Sequence, residues 1–171
     1  MINEEEITWL AHLAGQSTVA DTWIEDEHIR YDIYRKSLAS SSFENETRIA
    51  EIIARDPDRF MGQAALVDHV DRLANEPRAE SSFTERTEAI AQLAQDFDFL
   101  IARIREWRLI KTAEKDPNST IGDILSGSHW MQRMLADNSN SQTVLTALIE
   151  EGQTRRIKNC ARERLRKIKS A

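Results

Sequence analysis

The chain has 171 residues, of which 40 % are hydrophobic and 30 % are charged, and its formal net charge is −6. This apolar content suffices for a folded core and excludes an intrinsically disordered protein. Five glycines and three prolines are too few for the turns between closely spaced strands, so the composition predicts an all-α fold. The single Cys160 excludes an internal disulfide, the acidic N-terminus does not resemble a signal peptide, and no apolar run approaches the roughly 20 residues of a membrane span, so we expect a cytoplasmic protein without a membrane segment.

Four helices are predicted in the first 76 residues from the helical spacing of their apolar positions. They span residues 4–14, 21–39, 41–55 and 57–75. Gly15 follows the first helix as a C-terminal cap, and Asp21 can cap the start of the second. Asp56-Pro57 closes the third helix and opens the fourth, because proline is accepted at a first helical position.

The segment from residue 82 to about 113 contains no glycine or proline, and it is predicted to form one long central helix. Ser82 and Glu85 have the spacing of a capping box at its start. The apolar positions repeat every seven residues, which favours a helix packed by neighbours on two sides. They are Phe83, Ile90, Phe97 and Ile104.

Four shorter helices are predicted after the break at Asp116-Pro117-Asn118, over residues 120–125, 128–136, 141–151 and 153–169. Gly127 and Gly152 lie at two of the joints, where a left-handed backbone is expected. The whole chain is thus expected to form one domain, residues 1–171, as a compact bundle of eight or nine helices. A sub-boundary is possible near residues 115–119.

Two parts of the sequence match at a spacing of 40 residues. Ser41-Ser42-Phe43 corresponds to Ser81-Ser82-Phe83, and Asp56 and Asp58 correspond to Asp96 and Asp98. This period lies in the range of two-helix solenoid repeats. The similar composition of the two parts leaves a chance match as the alternative.

Residues 135–161 hold an Ala-Asp-Asn loop, an apolar pattern Val144-Leu145-x-x-Leu148, a polar turn and a basic pair that enters another apolar segment. This order resembles one unit of the variant leucine-rich or HEAT-like helical repeats, although the Asp-Pro common in their turns is absent. The resemblance implies a stacked-helix scaffold used for binding, without shared catalytic residues.

Charge is distributed unevenly along the chain. Residues 154–171 contain eight basic residues and one acidic residue, a sum of +7, so the first 153 residues sum to −13. The last predicted helix has an apolar stripe on one side, and cations occupy the rest of its surface. The candidate binding residues are Arg155, Arg156, Lys158, Arg162, Arg166 and Lys169.

Three interpretations of this basic helix are open. It can be a solvated surface or compensate the acidic remainder of the molecule, it can bind an acidic protein, or it can contact phosphates of nucleic acid. The short connection before it also has the form of a helix-turn-helix motif. We therefore expect a protein-interaction or adaptor module, with a protein partner or self-association, and nucleic-acid binding is the alternative.

No pattern in the sequence indicates an enzyme. Glu25, His28 and Asp32 share a helix face, but a di-metal bundle needs a second acid-x-x-His pair, and none is present. Cys160 lies on an apolar stripe, where a small core residue is more common than a nucleophile. We predict no catalytic residue, no metal and no cofactor.

Overall fold

The computed structural model describes residues 2–16, 26–76 and 81–170, and these contain ten α-helices and no strand. The all-α prediction is confirmed, with a helix count close to the eight or nine expected. The helices are α1 (Glu4–Leu13), α2 (Glu27–Ser40), α3 (Phe43–Ala54), α4 (Arg59–Asn75), α5 (Phe83–Leu93), α6 (Asp98–Lys115), α7 (Pro117–Ser126), α8 (His129–Asn138), α9 (Gln142–Glu151) and α10 (Arg155–Ser170). No helix in these ranges is long and apolar enough to cross a membrane.

The chain divides into two compact units, residues 1–104 and residues 105–171, and the division falls inside α6. The possible sub-boundary predicted near residues 115–119 lies further along the chain, at the junction of α6 and α7. In unit 1, α2 packs against α1, α3 and α4, and α3 also packs against α4 and α5. The core of unit 1 includes the fully buried Leu10, Ile33, Ile49, Ile53, Leu66, Leu73, Phe83, Ile90 and Leu100.

Helix starts in unit 1 follow local capping chemistry. Asn3 forms a capping box with Glu6, and the side chains of Asp26 and Asp58 accept backbone N–H bonds at the starts of α2 and α4. The predicted start of the second helix at Asp21 lies outside the described residues. Ser82 precedes α5 without a side-chain capping bond, so the predicted capping box is wrong.

The prediction of one long helix from residue 82 to 113 is also wrong, because the chain leaves the helix between α5 and α6. The break is stabilised from α4. The Arg59 guanidinium donates to the Asp96 carbonyl at 2.9 Å, and the Gln63 side-chain oxygen accepts the Phe99 N–H at 3.1 Å. Phe97 is buried at the break, with Arg59 5.7 Å from its ring centre. Tertiary contacts thus satisfy backbone groups that a continuous helix would have paired internally.

Two pairs of successive helices start in the 40-residue register found in the sequence. The first pair is α3 with α4, and the second is α5 with α6. The first begins at Phe43 and the second at Phe83, and Asp58 caps α4 where Asp98 opens α6.

Unit 2 has its own core, formed by the second part of α6 with α7 to α10. Its buried side chains are Ala113, Ile124, Met131, Leu135, Ala136, Val144, Leu145, Leu148, Ile157 and Ala161. Within unit 2, α7 packs on α8 and α9, α8 packs on α9 and α10, and α9 packs on α10.

The left-handed backbone predicted at Gly127 and Gly152 is wrong, since their φ angles are −74° and −53°. Close packing accounts for Gly152 instead. A Cβ there would lie 2.5 Å from the Leu148 carbonyl oxygen and 3.0 Å from a methyl group of Ile157. Among the described residues, Gly15 after α1 is the one glycine with positive φ, +74°, as its predicted C-cap role requires.

Candidate functional site

The apolar side of α10 is attached to unit 2. Ile157 and Ala161 are buried, and Cys160, Leu165 and Ile168 pack partly buried against the same core. Burying a large aliphatic side chain contributes about 1.5–3 kcal/mol. The helix is therefore held in place along its length, and its opposite side faces solvent.

Five of the six predicted binding cations share one flank of α10 beside the apolar side. At about 100° per residue, they fall in a stripe about 80° wide, which we call the cationic stripe. Arg156 lies outside it. The members of the cationic stripe are Arg155, Lys158, Arg162, Arg166 and Lys169.

The cationic stripe is solvent-exposed apart from Lys158, which is half-buried. No ion pair joins any of its five residues to a carboxylate in the part of the chain that the structure describes. Arg162 donates to the Asn159 side-chain oxygen at 2.8 Å, a neutral acceptor on the same helix. The positive charge of the stripe thus remains available to an external anion.

Two cations of α10 have a structural role. Lys158 donates to the Glu150 carbonyl at 2.6 Å and so satisfies a backbone acceptor at the end of α9. Arg164, which the sequence did not single out, donates to the Ser139 carbonyl at 3.0 Å and to the Asn140 side-chain oxygen at 2.7 Å. Lys158 therefore belongs to the fold as much as to a binding surface.

A glutamine pair joins the two turns beside the cationic stripe. Gln132 is fully buried, and its amide nitrogen donates to the carbonyls of Ile124 at 3.0 Å and Leu125 at 2.8 Å. Its side-chain oxygen accepts the Gln153 N–H at 3.0 Å, and the Gln153 side chain donates to the Gly127 carbonyl at 2.7 Å. These bonds connect the α7–α8 turn to the α9–α10 turn. Neither glutamine was identified from the sequence as structurally important. The one available signal was that Gln132 directly follows the apolar Met131 in α8.

Unit 1 contains a buried ionic network, which sequence reasoning also missed. Glu46 of α3 receives two bonds of 2.8 Å from the Arg86 guanidinium of α5 through its two oxygens. His69 Nε2 of α4 contacts the same carboxylate, and Arg72 donates to His69 Nδ1 at 2.7 Å and to the Leu38 carbonyl at 2.8 Å. The network links α2, α3, α4 and α5.

The protonation state of the network follows from its contacts. Burial alone would raise the pKa of Glu46, but hydrogen bonds from His69 and Arg86 outweigh it and hold that pKa below its usual value. Burial lowers the pKa of His69, although the Glu46 carboxylate opposes that shift. Because Arg72 occupies Nδ1 as a donor, the neutral imidazole has its hydrogen on Nε2, facing Glu46.

A second buried ion pair lies between α2 and the α3–α4 turn. The Arg30 guanidinium donates to Asp56 at 3.0 Å, and the Tyr34 hydroxyl donates to the same carboxylate at 2.6 Å. Burial and the Asp56 carboxylate raise the pKa of Tyr34 far above its usual value. Tyr34 thus remains a neutral donor at any working pH.

The remaining candidate residues do not converge. His28 is 90 % exposed next to Glu27, Asp32 pairs with Lys36, and Glu25 lies outside the described residues. No group of three or more metal-binding side chains occurs within the described ranges. Cys160 packs against the core of unit 2, and burial raises the pKa of its thiol.

Comparisons with known proteins found no matching family model, no matching curated protein and no matching solved structure. The functional assignment therefore rests on the geometry of this chain.

Proposed function

We propose that this protein is an interaction module whose cationic stripe binds an acidic segment of a partner protein. The observation that carries the proposal is the exposed row of cations on α10 without ion pairs to described carboxylates. The buried side of α10 fixes the row before a partner arrives, which reduces the entropy lost on binding. A single exposed ion pair contributes only about 0.2–1 kcal/mol, so affinity requires several at once.

The packing of unit 2 supports a scaffold role. The hairpin of α7 and α8 and the hairpin of α9 and α10 lie side by side, with α7 against α9 and α8 against α10. Their turns contain Gly127 and Gly152, which are 25 residues apart. Stacked hairpins of this kind are typical of helical repeat proteins that bind other proteins, in line with the proposed HEAT-like resemblance of residues 135–161.

Nucleic-acid binding is the second candidate. The connection from α9 to α10 spans residues 152–154, and the basic α10 follows it as a recognition helix would. The second part of α6, α7 and α8 also belong to unit 2, which gives the motif the bundle of at least three helices that it needs. The cationic stripe contains no aromatic side chain for base stacking, so an acidic protein partner is favoured.

The test measures the binding of three fluorescent probes by anisotropy over a range of salt concentrations: a peptide rich in Asp and Glu, a mixed-sequence DNA duplex and a single-stranded RNA. We expect the acidic peptide to bind at low salt and to be released as salt rises. Replacing Arg155 and Arg162 by Gln should weaken that binding by about 2–30-fold. The matched control replaces Arg35 and Lys36, two exposed cations of α2, by Gln and should change little.

Two outcomes would reject the proposal. If the acidic peptide does not bind at low salt while DNA or RNA does, the nucleic-acid candidate replaces it. If both substituted proteins lose peptide binding equally, the attraction depends on total charge and the cationic stripe is not the site.

A further inference from the structure

Unit 1 exposes two phenylalanines on one surface. Phe60, in the first turn of α4, is 84 % exposed, and Phe99, in the first turn of α6, is 55 % exposed. Both helix starts are fixed in place, because Gln63 of α4 accepts the Phe99 N–H and the Asp58 side chain accepts the Phe60 N–H at 3.0 Å. Burial of such a ring against a partner removes apolar surface from water, so this surface is better suited to a partner than to solvent.

The two rings line a groove of about 400 Å³, which we call the aromatic groove. Tyr31 of α2 and Ala64 and Val67 of α4 complete its apolar lining. Three helices therefore build one open groove with a mixed apolar and polar lining. Concave apolar surfaces with a few polar groups at the edge are the usual form of a recognition site.

The polar edge of the aromatic groove carries two acids, Asp68 and Asp71, with the cation Arg103 beside Asp71 and 5.3 Å from the centre of the Phe99 ring. Asp68 is exposed and has no ion pair to a described cation. The pKa of Tyr31 is raised mainly by burial and further by the negative charge of Asp68. Asp71 pairs with Arg103 at 2.6 Å. The wider surroundings have the same sign, because the 21 acidic and 10 basic residues of positions 1–104 give unit 1 a formal charge of −11. The matching occupant is apolar and cationic.

We propose that the aromatic groove docks a helical segment of a partner protein that presents leucine or phenylalanine beside arginine or lysine. The apolar side chain fills the space between Phe60 and Phe99, and the cation pairs with Asp68. A second copy of this chain fits less well, since the basic α10 uses its apolar stripe to pack on α8 and α9 and offers only cations. The aromatic groove belongs to unit 1 and the cationic stripe to unit 2, and the proposal for the groove does not depend on the function proposed above.

The experiment uses the full chain and a short amphipathic peptide with leucines at i, i+3, i+4 and i+7 and arginines beside them. Binding is measured by calorimetry. We expect Phe60→Ala to weaken peptide binding by about 10-fold or more, since an anchoring aromatic ring is lost. Asp68→Asn should weaken it by about 2–5-fold, as expected for one exposed charge pair.

Three controls make the result specific. Phe43→Ala removes another exposed phenylalanine, on α3, and should leave binding unchanged. The same peptide with glutamates in place of arginines should not bind. The substitution of Arg155 and Arg162 by Gln should not affect this binding, so failure at the cationic stripe and failure at the aromatic groove are distinguishable.

The proposal is overturned if the arginine peptide does not bind, if Phe60→Ala leaves its affinity unchanged, or if the glutamate peptide binds equally well. Sedimentation velocity without peptide tests whether a second copy of this chain occupies the aromatic groove. Concentration-dependent self-association that Phe60→Ala abolishes would assign the aromatic groove to a second copy and would also overturn the proposal. Far-UV circular dichroism of each substituted protein verifies its fold.

Discussion

Glu46 provides the sharpest test of the buried network in unit 1. Replacing it by Gln keeps the size of the side chain and removes its charge. Arg86 then loses its anionic partner, and its side chain is only 16 % exposed, so water replaces little of the lost interaction. The neutral amide also offers one acceptor oxygen where the carboxylate offers two.

The expected loss follows from two estimates. Removing one partner of a buried ion pair costs about 3–5 kcal/mol, and a hydrogen bond to a charged group is worth about 1.5–3 kcal/mol. Because solvent reaches part of Arg86 and Gln retains some bonds, we expect the lower end, about 3 kcal/mol of unfolding free energy. With a urea dependence of about 1–3 kcal/mol per molar, the unfolding midpoint should fall by about 1–3 M.

Urea unfolding followed by far-UV circular dichroism measures this change. The matched control is Glu44→Gln, which neutralises an exposed acid in the same first turn of α3 and should cost about 0.3–1 kcal/mol through the helix dipole. If Glu46→Gln costs no more than Glu44→Gln, the network does not hold the helices together and the reasoning is refuted.

Three further predictions concern stability. Gly152→Ala should lower the unfolding free energy by about 1–3 kcal/mol through overpacking. Gly122→Ala, at an open helical position, should raise it by about 0.5–1 kcal/mol. Thermal unfolding measures both changes, and equal effects would contradict the close packing at Gly152. Gln132→Leu should cost about 1–3 kcal/mol in the same assay, because buried backbone groups lose their partners, and a loss below about 0.5 kcal/mol would refute that role. Because the pKa of His69 is lowered in the native protein, the native chain binds fewer protons than the unfolded chain near and below pH 6.5. The stability that the neutral His69 contributes is therefore complete above pH 6.5, the usual histidine pKa, and is lost as the pH falls below it. Urea midpoints across this range should show that slope, His69→Asn should reduce it, and His28→Asn should not; a midpoint that rises on acidification would contradict the assignment.

Helix positions were predictable where the signals are local. Apolar spacing and capping residues located eight of the ten described helices, most of them within a few residues. The predicted break at Asp116-Pro117-Asn118 contains the start of α7, which begins at Pro117 and not at residue 120, because proline fits a first helical turn. The break between α5 and α6 has no glycine or proline, and it depends on Arg59 and Gln63 more than 30 residues away. The 40-residue match of Asp56 with Asp96 was a usable signal for it, since the chain also leaves the helix at Asp56.

The candidate site was predictable only in part. The charge count located α10 and its cations, and helical periodicity separates the cationic stripe from the buried side. The ion pair of Glu46 with Arg86 and the contact of Glu46 with His69 join separate helices, so no short sequence pattern encodes them. Glu46 does occupy the apolar side of α3, three residues before Ile49, and an acid at such a position needs a buried partner. The partner's identity depends on how the helices pack.

Gln132 has a consequence beyond stability. If the hairpin of α9 and α10 shifted by one residue along the hairpin of α7 and α8, the apolar surfaces would still cover each other, since leucine, isoleucine and valine are tolerant of small shifts. The amide of the buried Gln132 does not tolerate such a shift, because its donors and its acceptor would all lose their protein partners. A buried amide of this kind selects one alignment from several of similar apolar burial, as a single asparagine selects the register of a coiled coil. Burial of the leucines thus drives the two hairpins to associate, and the hydrogen bonds of Gln132 select the alignment that they adopt.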